Sequence, residues 1–62
     1  MAKKYLESAI RLNPNDASAI FLLGKLYIEK LNDKDTGLSL IKRSIYLKPE
    51  KISYKNYLKS VL

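Results

Sequence analysis

A repeat inside the chain constrains its fold more than any other feature. Sliding the sequence against itself by 35 positions lays Ala2–Tyr27 over Gly37–Leu62. Ile10 then falls on Ile45, Leu12 on Leu47, Pro14 on Pro49, Ser18 on Ser53 and Leu23 on Leu58. Leu6 meets Ile41, Ala9 meets Ser44 and Leu26 meets Val61, so size and polarity agree as well. The Ile-x-Leu-x-Pro spacing, repeated in register, points to one supersecondary unit used more than once. Units of that kind bury their apolar faces by stacking on each other.

The apolar period is helical throughout, and no strand pattern appears. Tyr5, Leu6, Ala9, Ile10 and Leu12 define the buried face of a first helix, about 2–12, which Asn13-Pro14-Asn15-Asp16 ends. Asp16 is placed to cap a second helix, about 17–31, because its carboxylate can accept a free backbone N–H of the first turn. That helix carries Ala19, Ile20, Leu22, Leu23, Leu26, Tyr27 and Leu31. So wide an apolar arc needs neighbours on two sides. After the polar turn Asn32–Asp35, Asp35 or Thr36 caps a third helix, about 36–47, with Leu38, Ile41, Ile45 and Leu47 inward. Lys48-Pro49-Glu50 stops it. A last helix, about 51–62, sets Tyr54, Tyr57, Leu58, Val61 and Leu62 against a lysine stripe, Lys51, Lys55 and Lys59. The expected class is all-α, with four antiparallel helices in a single domain over 1–62.

These residues resemble the tetratricopeptide repeat, a helix–turn–helix unit of about 34 residues. The match runs from Ala17 to Pro49. Ile20 stands where the family has a large aromatic, Leu23-Gly24 at its Leu-Gly pair and Tyr27 at its tyrosine. Gly37 holds the small site where the second helix meets the first, Ile41 and Ser44 the next large and small sites, and Pro49 the close. One extra residue in the Leu31–Thr36 turn accounts for the longer period. Ala2, Leu6, Ala9 and Pro14 resemble the second helix of a preceding repeat, and Ile52–Leu62 the first helix of a following one. The segment Leu23–Tyr27 also resembles the Sel1-like repeat, but the Leu-x-Pro endings favour the tetratricopeptide type. Lys55 and Lys59 depart from the pattern, replacing an aromatic and a glycine, which suits a solvating terminal helix. A chain that starts inside a repeat is either the C-terminal piece of a longer protein or a minimal unit made to stand alone.

What the resemblance implies is a concave face that receives an extended peptide or a partner helix. By register it is lined by Ser18, Phe21, Lys25, Ile28 and Glu29, with Ser53, Asn56, Tyr57 and Ser60 from the last helix. Phe21 departs from the main apolar stripe; it is either a half-exposed anchor or a side chain packed on a neighbouring helix. Lys25 and Asn56 alone do not make a clamp for a C-terminal carboxylate. A groove this short is expected to hold peptides at roughly micromolar strength or weaker.

Charge suggests other partners. Residues 1–40 carry six basic and five acidic groups, whereas residues 41–62 carry six basic groups against Glu50 alone. Lys42, Arg43, Lys48, Lys51, Lys55 and Lys59 make a basic face that could meet nucleic acid or an acidic protein, though a solvated outer face is the preferred reading. Tyr5, Tyr27 and Tyr54 fall at core positions, which leaves Tyr46 and Tyr57 as candidates for base stacking. Nucleic acid is not favoured. Association with a second copy, by stacking or swapping of the half-repeats, is the other alternative, giving a homo-oligomer.

Catalysis is not indicated. The chain has no cysteine and no histidine, so a thiol nucleophile, a histidine base and the usual zinc sites are excluded. Asp33 and Asp35 flank Lys34 in a turn, and no acid follows until Glu50, which is the wrong pattern for a calcium loop. No cofactor is expected. The apolar share of 47% is too high for a disordered tail. The longest apolar run, Ala19–Leu23, is far short of the roughly 20 residues a membrane helix needs. Met1-Ala2-Lys3-Lys4 opens an amphipathic pattern and not a signal sequence. A cytoplasmic setting is expected.

Overall fold

The computed structural model describes residues 2–62, in four helices: α1 (Ala2–Leu12), α2 (Ala17–Glu29), α3 (Lys34–Leu47) and α4 (Ile52–Val61). The fold is all-α and its helices pack in sequence. Most of the packing lies between α2 and α3, with α1 added on one side of the pair and α4 on the other. The Cα positions span 27 × 26 × 14 Å, a thin slab. Every helix in such a slab keeps one side in solvent, so few side chains are fully enclosed. Ile20, Ile41 and Ser44 are, and they lie in the central pair.

The α2–α3 contact depends on two glycines. A Cβ on Gly24 would stand 2.9 Å from the carbonyl oxygen of Gly37, 2.9 Å from Ile41 Cδ1 and 3.0 Å from Leu40 Cβ. A Cβ on Gly37 would meet Ile28 Cγ1 and, at 2.7 Å, the carbonyl oxygen of Gly24. Neither glycine has a positive φ, so close approach is the reason for both. Ser44 is buried beside them and donates its hydroxyl to the Ile41 carbonyl at 2.6 Å, which removes the cost of an unpaired polar group. A second cluster joins α1 to the pair through Leu6, Ala19 and Leu23, with Ala9, Ile10, Leu26, Tyr27 and Leu40 around them.

Helix ends follow local hydrogen bonding. Asp16 caps α2 by accepting the Ala19 N–H at 3.2 Å, as its position predicts. α2 ends at Glu29, two residues before the expected Leu31. There the Leu31 N–H reaches back to the Leu26 carbonyl and the Asp33 N–H to that of Tyr27, while Asn32 takes a left-handed φ of 56°. Asparagine tolerates that conformation better than most residues. The cap of α3 is Asp33, not Asp35 or Thr36: its carboxylate accepts the Thr36 N–H at 3.3 Å. Asp35 instead sits in the first turn, where a negative charge suits the helix dipole. α4 begins at Ile52, after Lys51, whose side chain makes no cap bond.

Exposure corrects several core assignments. Tyr5 is 75% exposed and Leu12 88% exposed, although the period put both on the inner face of α1. Leu12 is the last residue of α1. Tyr5 points along a side of α1 that no described element covers. Leu22 and Leu31 of the apolar arc are also open, whereas Tyr54 is buried at 5%.

Candidate functional site

Ser18, Phe21, Lys25 and Glu29 recur at three- and four-residue spacing, so the helical repeat puts them on one side of α2. α4 lies against this row. The Phe21 ring stacks on Tyr54, with centroids 4.3 Å apart and planes 20° apart, and meets Tyr57 edge-on at 5.4 Å. These are the offset and edge geometries that aromatic quadrupoles favour. At one end of the row the Ser18 and Tyr54 hydroxyls are 3.4 Å apart. At the other, Tyr57 donates its hydroxyl to Glu29 Oε2 at 2.9 Å, and the Lys25 ammonium sits 5.8 Å from the Tyr57 ring centre. The face is thus a line of three rings ending in an ordered carboxylate and an ammonium.

That arrangement changes the chemistry of one group. Burial, then the hydrogen bond to Glu29 and its charge, push the Tyr57 phenol up to about 12. Tyr57 is therefore a neutral donor at physiological pH, and Glu29 keeps its second oxygen for another donor.

Five sequence-selected residues come together here: Ser18, Phe21, Lys25, Glu29 and Tyr57. Ile28 does not join them. Its side chain turns to α3 and packs over Gly37, because it lies on the glycine side of the helix. Ser53 and Asn56 are exposed on α4, and Ser60 spends its hydroxyl on the Tyr57 carbonyl at 2.7 Å. Phe21 is half-buried and packed against both tyrosines. Tyr54 was assigned to the core alone. It is buried, and its ring packs on Phe21 at the Ser18 end of this row; its spacing of three from Tyr57 is the signal that could have revealed the contact. Beyond Ser18 and Tyr54 the face runs into a polar hollow of about 430 Å³ between the two proline turns, lined also by Asn13, Asp16 and Lys51.

The six basic residues Lys42, Arg43, Lys48, Lys51, Lys55 and Lys59 are all exposed. Lys51 lies 5.9 Å from the Tyr54 ring centre. Among the described residues the one ion pair is Lys3–Glu7, at 4.0 Å, so the basic face is not neutralised from within. Tyr46 is 84% exposed beside it. No cluster of three acidic side chains suited to a metal occurs among the described residues, and no helix is long and apolar enough to cross a membrane.

No curated protein and no solved structure matches the chain. The tetratricopeptide repeat family profile does, over residues 1–16 and 17–51. The junction between those matches falls at Asp16–Ala17, where α2 begins, so the profile sees the helix pair α2–α3 as one repeat and α1 as part of another. With most of its length matched and its central helix pair closed on two glycines, the chain belongs to the tetratricopeptide repeat family, whose repeats generally serve as protein–protein interaction modules.

Proposed function

We propose that the chain is a non-enzymatic interaction module that holds an extended peptide or a partner helix along the face shared by α2 and α4. The observation that carries this reading is the Tyr57–Glu29 hydrogen bond at 2.9 Å, which ties the two helices together and leaves an aromatic line between polar ends. Pre-ordered rings give contact area at low entropic cost, and the carboxylate and ammonium at one end give direction. Ser18, Phe21, Lys25, Glu29 and Tyr57 form the built part of the site, and Ser53, Asn56 and Ser60 extend it along α4.

The test begins with peptides selected on the intact chain from a random displayed library. Tyr57→Ala and Asn56→Ala, both on the outer part of α4, should weaken the selected peptides about tenfold each, the scale of an interface anchor. Peptides held equally well by both variants would sink the assignment.

The exposure of all six C-terminal basic groups supports a second reading, in which an acidic protein or a nucleic acid meets that face. A salt titration separates the two, because phosphate-driven binding falls steeply between low and moderate salt. Self-association is read directly from the solution mass over a concentration series.

A further inference from the structure

The outer side of α3 holds a ring and a set of cations that the peptide face does not use. α2 closes on Gly37, Leu40 and Ile41. Tyr46 lies nine residues beyond Gly37, and at 3.6 residues per turn that is two and a half turns, which points it away from α2. Lys42, Arg43 and Tyr46 are all exposed, and spacings of four and three put both cations beside the ring on the helix surface. Lys48 follows at the end of the helix. Tyr54 and Tyr57 are packed on Phe21, whereas Tyr46 is 84% exposed and stands in solvent.

The internal repeat extends this side to α1. In the register of 35, Lys4 takes the place of Ser39, Ser8 that of Arg43 and Arg11 that of Tyr46, and all six are exposed. Equivalent positions of stacked repeats face the same way, so Lys4 and Arg11 continue the basic side of α3. The acidic groups facing it are few. Glu7, in the place of Lys42, is paired with Lys3 at 4.0 Å. Asp35 is seven residues before Lys42, about 10 Å along the axis, where salt at physiological strength screens it. Glu50 stands between Lys48 and Lys51 and is outnumbered by them.

We propose that the outer side of α3, continued on α1, binds single-stranded nucleic acid. One base stacks on Tyr46, and the phosphates on either side of it meet Lys42, Arg43 and Lys48. The inference rests on the second reading of the basic face and names its partner; it is separate from the peptide face of α2 and α4. The open ring decides between the anionic partners. An acidic protein would engage the cations and leave the ring idle. An anionic membrane takes up aliphatic side chains set among lysines, and no aliphatic side chain of α3 is exposed. A base has a flat face for the ring and a phosphate on each side for the cations, a pairing that serves any base sequence. In a duplex the bases are already stacked on each other, so the ring selects a single strand.

The experiment uses the intact chain and a fluorescein-labelled oligothymidylate about twelve nucleotides long. Anisotropy should show saturable binding at low salt, with log affinity falling against log salt at a slope of about −2 or steeper, as three phosphate contacts on a single strand require. Lys42→Gln and Arg43→Gln should each flatten that slope by about 0.7. Tyr46→Ala should weaken binding about tenfold with the slope unchanged, the effect of losing one stacked base, and Tyr46→Phe should restore it. All four side chains are on the surface, so circular dichroism should not change. Binding indifferent to Tyr46→Ala overturns the proposal, and so does a polyglutamate peptide of equal charge that binds as well; in both cases the basic-face reading survives. Tighter binding to a duplex of the same length, or to vesicles of phosphatidylcholine and phosphatidylserine, also overturns it. An absence of saturable binding to oligothymidylate, duplex, polyglutamate and vesicles alike overturns the basic-face reading with it.

Discussion

The backbone of Gly37 lies so close to Gly24 that a methyl group on Gly24 would stand 2.9 Å from the Gly37 carbonyl oxygen. A carbonyl in a helix cannot step aside, so this contact sets how closely α2 and α3 approach. Alanine is a better helix former than glycine by about 1 kcal/mol, yet overpacking costs about 1–3 kcal/mol. Gly24→Ala should therefore lower stability in urea unfolding, by up to about 2 kcal/mol net. Gly37→Ala should cost more, because its methyl meets both Ile28 and the Gly24 carbonyl. A stabilised Gly24→Ala variant would show that the two helices can part without loss.

Phe21 is held to α4 by Tyr54 and Tyr57. Removing its ring takes away most of the aromatic contact between α2 and α4, at a cost of about 2–3 kcal/mol for a half-buried side chain. Amide exchange in Phe21→Ala should rise most within Ile52–Val61 and least in the α2–α3 pair. A uniform rise along the chain would mean that α4 does not depend on this stack.

Lys51 occupies the cap position of α4 with no side-chain bond, where the register puts Asp16 at the start of α2. A cation there also opposes the helix dipole. Lys51→Asp supplies an acceptor and reverses the charge, and it should stabilise the chain by about 1 kcal/mol, a rise of roughly 4–8 °C in melting temperature for a domain this small. No rise would mean that α4 is not the limiting part of the fold.

The Tyr57 phenol, raised from 10.0 to about 12 chiefly by burial and then by Glu29, makes the fold sensitive to alkali. An acid whose folded value lies above its unfolded one favours the native state while protonated. The stabilisation is thus complete below pH 10.0 and lost as pH rises toward about 12. Ultraviolet titration of phenolate should show one tyrosine ionising late, and Glu29→Gln should bring it down. An unchanged curve would mean the hydrogen bond is not kept in solution.

Much of this was readable from residue order. The tetratricopeptide resemblance placed α2 and α3 as a pair and Gly37 at their contact, Asp16 marked a helix start, and Gly24 within a helix marked a close approach. Ser18, Phe21, Lys25 and Glu29 were implied as lining residues by the family register, and helical spacing is enough to align them in one row. Ile28 was misplaced for the same reason: spacing sets the angle around a helix but not where the neighbouring helix ends its cover.

Periodicity, proline turns and the two glycines determined the class of fold, since each acts within a few residues or by simple register. Coverage was decided by packing between elements distant in sequence. Tyr5 and Tyr54 both sit at apolar helical positions, yet one is 75% exposed and the other 5%. The difference is that Phe21 on α2 lies over Tyr54, while no described element lies over Tyr5. Apolar residues favour burial, but only a second surface at van der Waals distance supplies it, and which surfaces meet is a property of the assembled slab.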